Sequence, residues 1–269
     1  MKIVCLIRNQ PALIYFVNTI YEKYDIDHVF IETGRIGSRS KANKVKKYGI
    51  IGSAHIFLKR LFTNYKDIYD RLFQEKWKEL NDRLEVTYVE SINSQLVEAK
   101  LDQIEPDLLL DHGTSIVKGH ILDKAGLALN LHWGLSPYYR GVNCTEWALI
   151  NRDPYNIGVT IHRLTKDIDG GSIVAQKRII IQKDDTVESI NMRLTKQGTE
   201  LLIRLIKTYK NQERPLKFHK QDFSLGFLTL SRQWSYHLKR EIEYIEKHRQ
   251  IAKMLKKPAR KEKLPIIEL

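Results

Sequence analysis

The sequence predicts an α/β fold built on a parallel sheet, and three observations carry that expectation. Short apolar runs alternate with helical patterns at the start of the chain: residues 3–7, then 12–24, then 28–32, the β-α-β signature of parallel strands. The same rhythm returns after residue 84, and 269 residues with 42% hydrophobic content suffice for one large core plus an appendage.

Ile3–Ile7 reads as a buried strand; its five apolar residues before Arg8 are too few for a signal-peptide core or a membrane span. Ala12–Tyr24 reads as a helix and His28–Glu32 as the second strand. From Gly34 to about Asp82 the rhythm breaks into a basic stretch (Arg35, Arg39, Lys41, Lys44, Lys46, Lys47) and two amphipathic segments near Ile56–Phe62 and Ile68–Leu80. Its apolar positions are too sparse for a separate core, so it reads as a helical insertion at about 34–82. Leu84–Val89 resumes the sheet, followed by a helix at Ser94–Leu101 and the run Leu108-Leu109-Leu110 ending at Asp111-His112-Gly113. Further strands fall at Leu127–Leu131, Gly158–Leu164 and Ser172–Ile181. A helix then starts with Asp185 as N-cap and Glu188 at capping-box spacing, and runs to about Tyr209. The expected organisation is a catalytic domain over 1–210 and an extension over 211–269. The extension is helical and increasingly basic from Ser231, and Pro258 stops or kinks its helix.

Two cysteines, Cys5 and Cys144, are too few for a disulfide framework, which suits a reducing cytoplasm. The net charge of +13 attracts polyanions, whether nucleic acid, membrane headgroups or phosphorylated small molecules, and does not choose among them. The histidines His112, His120, His132 and His162 lack the spacing of a closed zinc site with cysteines.

The chemistry-bearing residues lie downstream. Asn130 and His132 are two apart at a strand end, so they share a face at the sheet edge, where open α/β folds place their sites. An amide donor beside an imidazole suits acyl transfer to an amine; the local alternative is a structural histidine. Pro137-Tyr138-Tyr139-Arg140-Gly141 reads as a turn-rich loop that walls a pocket or merely turns the chain. In Asp167-Ile168-Asp169-Gly170-Gly171 the paired glycines permit positive dihedrals, so Asp169 can sit on a tight loop and orient His132, or the segment can be a plain hairpin turn.

Together these segments resemble the formyltransferase family, which includes glycinamide ribonucleotide transformylase, methionyl-tRNA formyltransferase and the sugar N-formyltransferases. The resemblance spans about residues 106–182. Asn130-Leu131-His132 is similar to the family's Asn-x-His, Pro137 to Gly141 to its Pro-x-Tyr-Arg-Gly, and Ile168 to Gly171 to its apolar-Asp-x-Gly, with Gly158 to His162 matching the strand before that loop. The segment Trp133-Gly134-Leu135-Ser136 departs from the Ser-Leu-Leu common there.

The resemblance implies a mostly parallel Rossmann-like sheet with helices on both faces, plus a C-terminal helical appendage. It implies 10-formyltetrahydrofolate as formyl donor and Asn130, His132 and Asp169 as catalytic residues. Gly113, Thr114, Ser115, Ile116 and Val117 would line the folate cleft, with Asp167, Ile168, Gly170 and Gly171 near the pterin.

The acceptor is then a small-molecule amine. Position 8–11, Arg8-Asn9-Gln10-Pro11, lacks the glycines of a phosphate loop, against the ribonucleotide enzymes. The sixty or so residues after Tyr209 read as a short extended stretch and a helix, too few and too helical for the barrel of the methionyl-tRNA enzymes. Nucleic acid is thus disfavoured and a nucleotide-linked amino sugar, a surface-polysaccharide precursor, is expected. Trp133, Tyr139, Arg140 and Asn143 are the candidate substrate-binding residues, with Arg140, Lys41 or Arg35 meeting a diphosphate, or Arg140 tying down its own loop. Phe223, Phe227, Trp234 and Tyr236 could serve a homodimer interface or cover the sheet edge, and the basic tail could touch a membrane surface. Hydrolysis of the folate donor, or a non-catalytic folate- or partner-binding module, is the competing class.

Overall fold

The computed structural model describes residues 1–34, 41–62, 66–211, 215–258 and 263–269. Arg35, Arg39, Arg260 and Lys261 lie outside the described residues, as does the side chain of Lys41. In chain order the elements are β1 (Ile3–Arg8), α1 (Pro11–Tyr21), β2 (His28–Glu32), α2 (Lys41–Phe62), α3 (Lys66–Phe73), β3 (Val86–Val89), α4 (Gln95–Ile104), β4 (Leu108–His112) and α5 (Gly119–Leu122). They continue with β5 (Leu127–His132), β6 (Tyr139–Gly141), α6 (Cys144–Ile150), β7 (Gly158–Arg163), β8 (Ile173–Arg178), α7 (Val187–Lys210), β9 (Phe227–Thr229), α8 (Tyr236–Lys247) and α9 (Gln250–Lys256).

Seven strands form one sheet in the order β3-β2-β1-β4-β5-β7-β8. The first five strands of that order are mutually parallel, and β7 and β8 are antiparallel additions. Helices cover both faces, as expected. Phe16, Val17 and Ile20 of α1 and Leu201, Leu202 and Leu205 of α7 join one core. Val97 and Leu101 of α4 and Ile121 of α5 join the other. This two-sided cover is why β1 and β4 read as unbroken apolar runs rather than alternating ones.

Helix α1 opens on Pro11 in its first turn, where the missing N–H costs nothing. Helix α7 is capped differently from the expectation: Thr186 is the N-cap and pairs reciprocally with Ser189. The Asp185 carboxylate is instead engaged by the Gln182 N–H at 2.6 Å, the Ser189 hydroxyl and the Arg193 guanidinium. Glu188 accepts from the Tyr69 hydroxyl at 2.6 Å. Within the insertion, α2 bends at Gly49 (φ 69°), and Phe73 of α3 stacks on Tyr15 of α1 with ring centroids 4.1 Å apart.

The extension combines a short extended stretch with helices, as expected. Its strand β9 pairs in parallel with β6, so part of the stretch that reads as a turn is a strand. A three-residue strand is legible only with its partner, and the partner here lies 88 residues away. Pro258 does follow the end of α9, and the chain then returns along the sheet edge. There the Gln176 N–H donates to the Ile267 carbonyl at 2.6 Å and the Ile267 N–H to Gln176 Oε1 at 3.1 Å. Of the aromatics of the extension, Phe227 contacts Tyr139 and Trp147, Trp234 contacts Trp147 and Tyr236 contacts His55, while Phe223 and Phe227 keep exposed faces. Among the described residues no helix is long and apolar enough to cross a membrane.

Candidate active site

The C-terminal ends of β4 and β5 open into a cleft of about 480 Å³ whose walls include Asn130, His132 and Asp169. Register explains why they meet. Asn130 of β5 stands opposite Asp111 of β4 and His162 of β7, and His132 stands opposite Thr160. Directly opposed residues share a sheet face, so Asp111, Asn130 and His162 form one polar row across three strands.

His132 is buried and held from two sides. Its Nε2 lies 3.2 Å from the Tyr139 carbonyl, which makes Nε2 the protonated nitrogen and leaves Nδ1 as the one free to exchange a proton. Nδ1 is 3.5 Å from Asp169 Oδ2, while Asp169 Oδ1 is 3.5 Å from His162 Nε2. Burial pushes the His132 imidazole below its ordinary value, with Asp169 opposing and His162 reinforcing the shift. Burial alone would raise the Asp169 carboxyl, but His132, His162 and the Gly141 N–H at 2.8 Å hold it well below the usual carboxylate range. The pair is therefore a neutral imidazole facing a carboxylate ready to stabilise its cation.

Close packing around the ring depends on Gly134, in the segment that departs from the family pattern. A Cβ there would stand 2.4 Å from His132 Nε2 and 2.6 Å from the Tyr139 carbonyl oxygen. On the Asp169 loop the left-handed residue is Asp169 itself (φ 47°), not either glycine. Gly171 is needed for a different reason, since a Cβ would meet the Arg163 carbonyl oxygen at 1.8 Å. Gln221 of the extension, 7% exposed, clamps this loop by donating to the carbonyls of Asp169 (2.8 Å) and Gly171 (2.6 Å).

The expected cofactor residues Gly113 to Val117, Asp167 and Ile168 line the cleft, whereas Gly170 and Gly171 are not among its walls and instead shape the loop. The segment after β4 is anchored by buried Glu32, which accepts from the N–H and hydroxyl of Ser115 (2.8 and 2.6 Å) and pairs with Arg8 at 3.0 Å. Trp133 and Asn143 line the cleft, and Asn143 caps α6 with φ 58°. Tyr139 and Arg140 do not. The Tyr139 hydroxyl donates to Asp153 at 2.9 Å, and the Arg140 guanidinium lies 4.0 Å over the Phe223 ring. Arg140 thus ties down its own loop, because pairing with β9 draws the segment toward the extension. Among the described residues no lysine or arginine lines the cleft.

Sequence reasoning missed Asp111, Cys144, Glu146 and the site role of His162, whose only signal was a polar residue in an apolar strand. The Cys144 Sγ is 3.6 Å from His132 Nε2, but burial first, then Asp169 and Glu146, raise the thiol well above its ordinary range. It stays protonated and is no nucleophile. His112, the neighbour of Asp111, faces the opposite core between Phe16 and Trp133, and burial pushes it down to about 3.

The formyl transferase family model matches residues 53–206, more than half of the chain. The chain belongs to the formyl transferase family. It is 37% identical over 121 residues to the bifunctional polymyxin resistance protein ArnA of Wigglesworthia glossinidia brevipalpis, covering 44% of this chain and 18% of that protein. It is 31% identical over 128 residues to a methionyl-tRNA formyltransferase of Methylacidiphilum infernorum (isolate V4), covering 47% and 40%. The matches thus span less than half the length of these curated relatives. In structure the chain resembles an N-formyltransferase from Helicobacter canadensis in complex with folinic acid and dTDP-3-aminofucose, with TM-score 0.55, 17% identity and coverage of 87% and 73%. At that identity the likeness establishes the formyltransferase fold.

Proposed function

We propose that this protein transfers the formyl group of 10-formyltetrahydrofolate to the amine of a nucleotide-linked amino sugar. The observation that carries the reading is the convergence of Asn130, His132 and Asp169 on one cleft at the sheet edge, in a member of the formyl transferase family.

The cleft fits a reduced folate. Ile116, 58% exposed, gives one wall an apolar surface for a flat ring, and Thr114, Ser115, Thr165 and Asp167 are polar residues along it. Folate supplies the activated formyl group when bound; the chain supplies position, charge and proton handling. The Asn130 amide has no hydrogen-bond partner among the described residues and is free to donate to the formyl oxygen as charge develops there. His132 Nδ1 takes the proton that the attacking amine loses, and Asp169 stabilises the resulting cation.

The sugar assignment rests on the relatives: the Helicobacter canadensis structure holds an amino sugar on a nucleotide with a folate analogue. The cleft itself supplies no cation for a diphosphate among the described residues.

The test is release of tetrahydrofolate from 10-formyltetrahydrofolate with a panel of nucleotide-linked amino sugars, glycinamide ribonucleotide, methionyl-tRNA and no acceptor. Release that requires one amino sugar is the expected result. Release that ignores every acceptor would make the protein a hydrolase.

A further inference from the structure

The proposed chemistry leaves one buried carboxyl unused. Asp111, 4% exposed, lies near the end of β4 directly beside Asn130 and lines the same cleft. Adjacent strands are about 4.8 Å apart, so the two side chains project side by side from the same sheet face. The Thr114 hydroxyl donates to Asp111 Oδ1, and Oδ2 has no protein hydrogen-bond partner among the described residues.

The charges facing Asp111 come from three other elements: Asp169 on its loop, Glu32 on β2 and His162 on β7. Glu32 is matched by Arg8 and Asp169 lies against His132 and His162, whereas Asp111 has no ion-pair partner among the described residues. Burial is the largest influence on Asp111 and, with the two carboxylates, pushes it up to about 7 against the opposing effects of Thr114 and His162. It therefore keeps its proton to a much higher pH than an ordinary carboxyl, and it lines the cleft one strand from Asn130.

Resting on the proposed formyl transfer, we infer that the Asp111 carboxyl is the acid of the reaction, giving its proton to the folate nitrogen as the bond from that nitrogen to the formyl carbon breaks. The amine lone pair forms the new C–N bond. The electron pair of the breaking bond goes to the departing nitrogen, which takes the Asp111 proton. His132 Nδ1 takes the proton shed by the amine and returns it to Asp111 through solvent. One proton leaves the amine and one arrives on the folate nitrogen, so no oxidant or further reactant is needed.

Asp111→Asn is the decisive variant, since its amide oxygen still accepts from Thr114. We expect kcat to fall by about 10²- to 10⁴-fold with little change in KM for folate. Wild-type kcat should fall as pH rises through about 7, where the acid loses its proton, and the variant should lack that alkaline limb. Thr114→Val, which removes a hydrogen bond that holds the Asp111 carboxyl down, keeps the limb and moves it to higher pH. Infrared difference spectra of the free protein supply a readout independent of turnover: below neutrality the wild type shows a protonated-carboxyl band that Asp111→Asn lacks. A variant with wild-type kcat, a retained alkaline limb, or no Asp111-dependent band overturns the acid role. A wild-type enzyme that formylates no amine overturns the transfer reading and the acid role together, whereas an active wild type matched by Asp111→Asn overturns the acid role alone.

Discussion

His132 can act as a base only while Nδ1 is unprotonated, and burial works in that direction while Asp169 works against it. The sign of the pH dependence follows. Because the imidazole lies below its ordinary value, the base survives to a pH below about 6.5 and is lost only as pH falls through its own lowered value. Asp169→Asn removes the influence that favours the cation. That variant should show a lower kcat and an acid limb displaced to still lower pH, read from pH profiles of both proteins. Asn130→Ala and His132→Ala should each lower kcat by about 10²- to 10³-fold, measured with saturating donor and acceptor. His132 and Asn130 were legible at this scale from two residues of spacing on one strand. Asp111 and His162 were not, because only strand register sets them beside Asn130, and register is a property of three segments at once.

Among the elements, α7 spans one core face, and its N-terminus illustrates how local sequence can mislead. Asp185 and Glu188 satisfy capping-box spacing, but Asp185 has the Gln182 N–H, Ser189 and Arg193 for partners, and Glu188 has Tyr69. Thr186 and Ser189, one residue further on, are left to satisfy the free N–H groups of the first turn. Thr186→Ala should therefore destabilise the protein by about 1 kcal/mol, seen as a lower urea midpoint with an unchanged slope. Segment β6 is a similar case: proline and glycine at its ends signal a turn, and only β9 makes a strand of Tyr139 to Gly141. The same pairing explains why Arg140 sits over Phe223 instead of in the cleft.

Across the whole molecule, the extension supports the site. Gln221 clamps the Asp169 loop. On the other wall, Ile267 engages both the backbone and side chain of Gln176. Gln176 donates in turn to the Ser136 carbonyl (2.6 Å) and the Thr160 hydroxyl (2.9 Å), and Thr160 donates to the Gly134 carbonyl at 2.6 Å. The segment leaving His132 is thus held by Ile267 through two hydrogen-bonded residues, Gln176 and Thr160. Deleting residues 263–269 leaves the Gln176 amide oxygen, 3% exposed as a residue, without its donor, at a cost of about 1–3 kcal/mol. A lower thermal midpoint together with reduced kcat is the expected result, and a stable variant with full activity would show that the tail is dispensable.

The sequence by itself determined the α/β class, the parallel β-α-β start and the shared strand face of Asn130 and His132, because each depends on periodicity or on spacing within a few residues, whereas Asp169 joined them only through the family resemblance. Tertiary structure alone decided the row Asp111–Asn130–His162, the absence of cationic side chains from the cleft walls among the described residues, and the support from Gln221 and Ile267. These depend on which distant segments pair, and burial and charge at a residue are set by neighbours that no local pattern encodes.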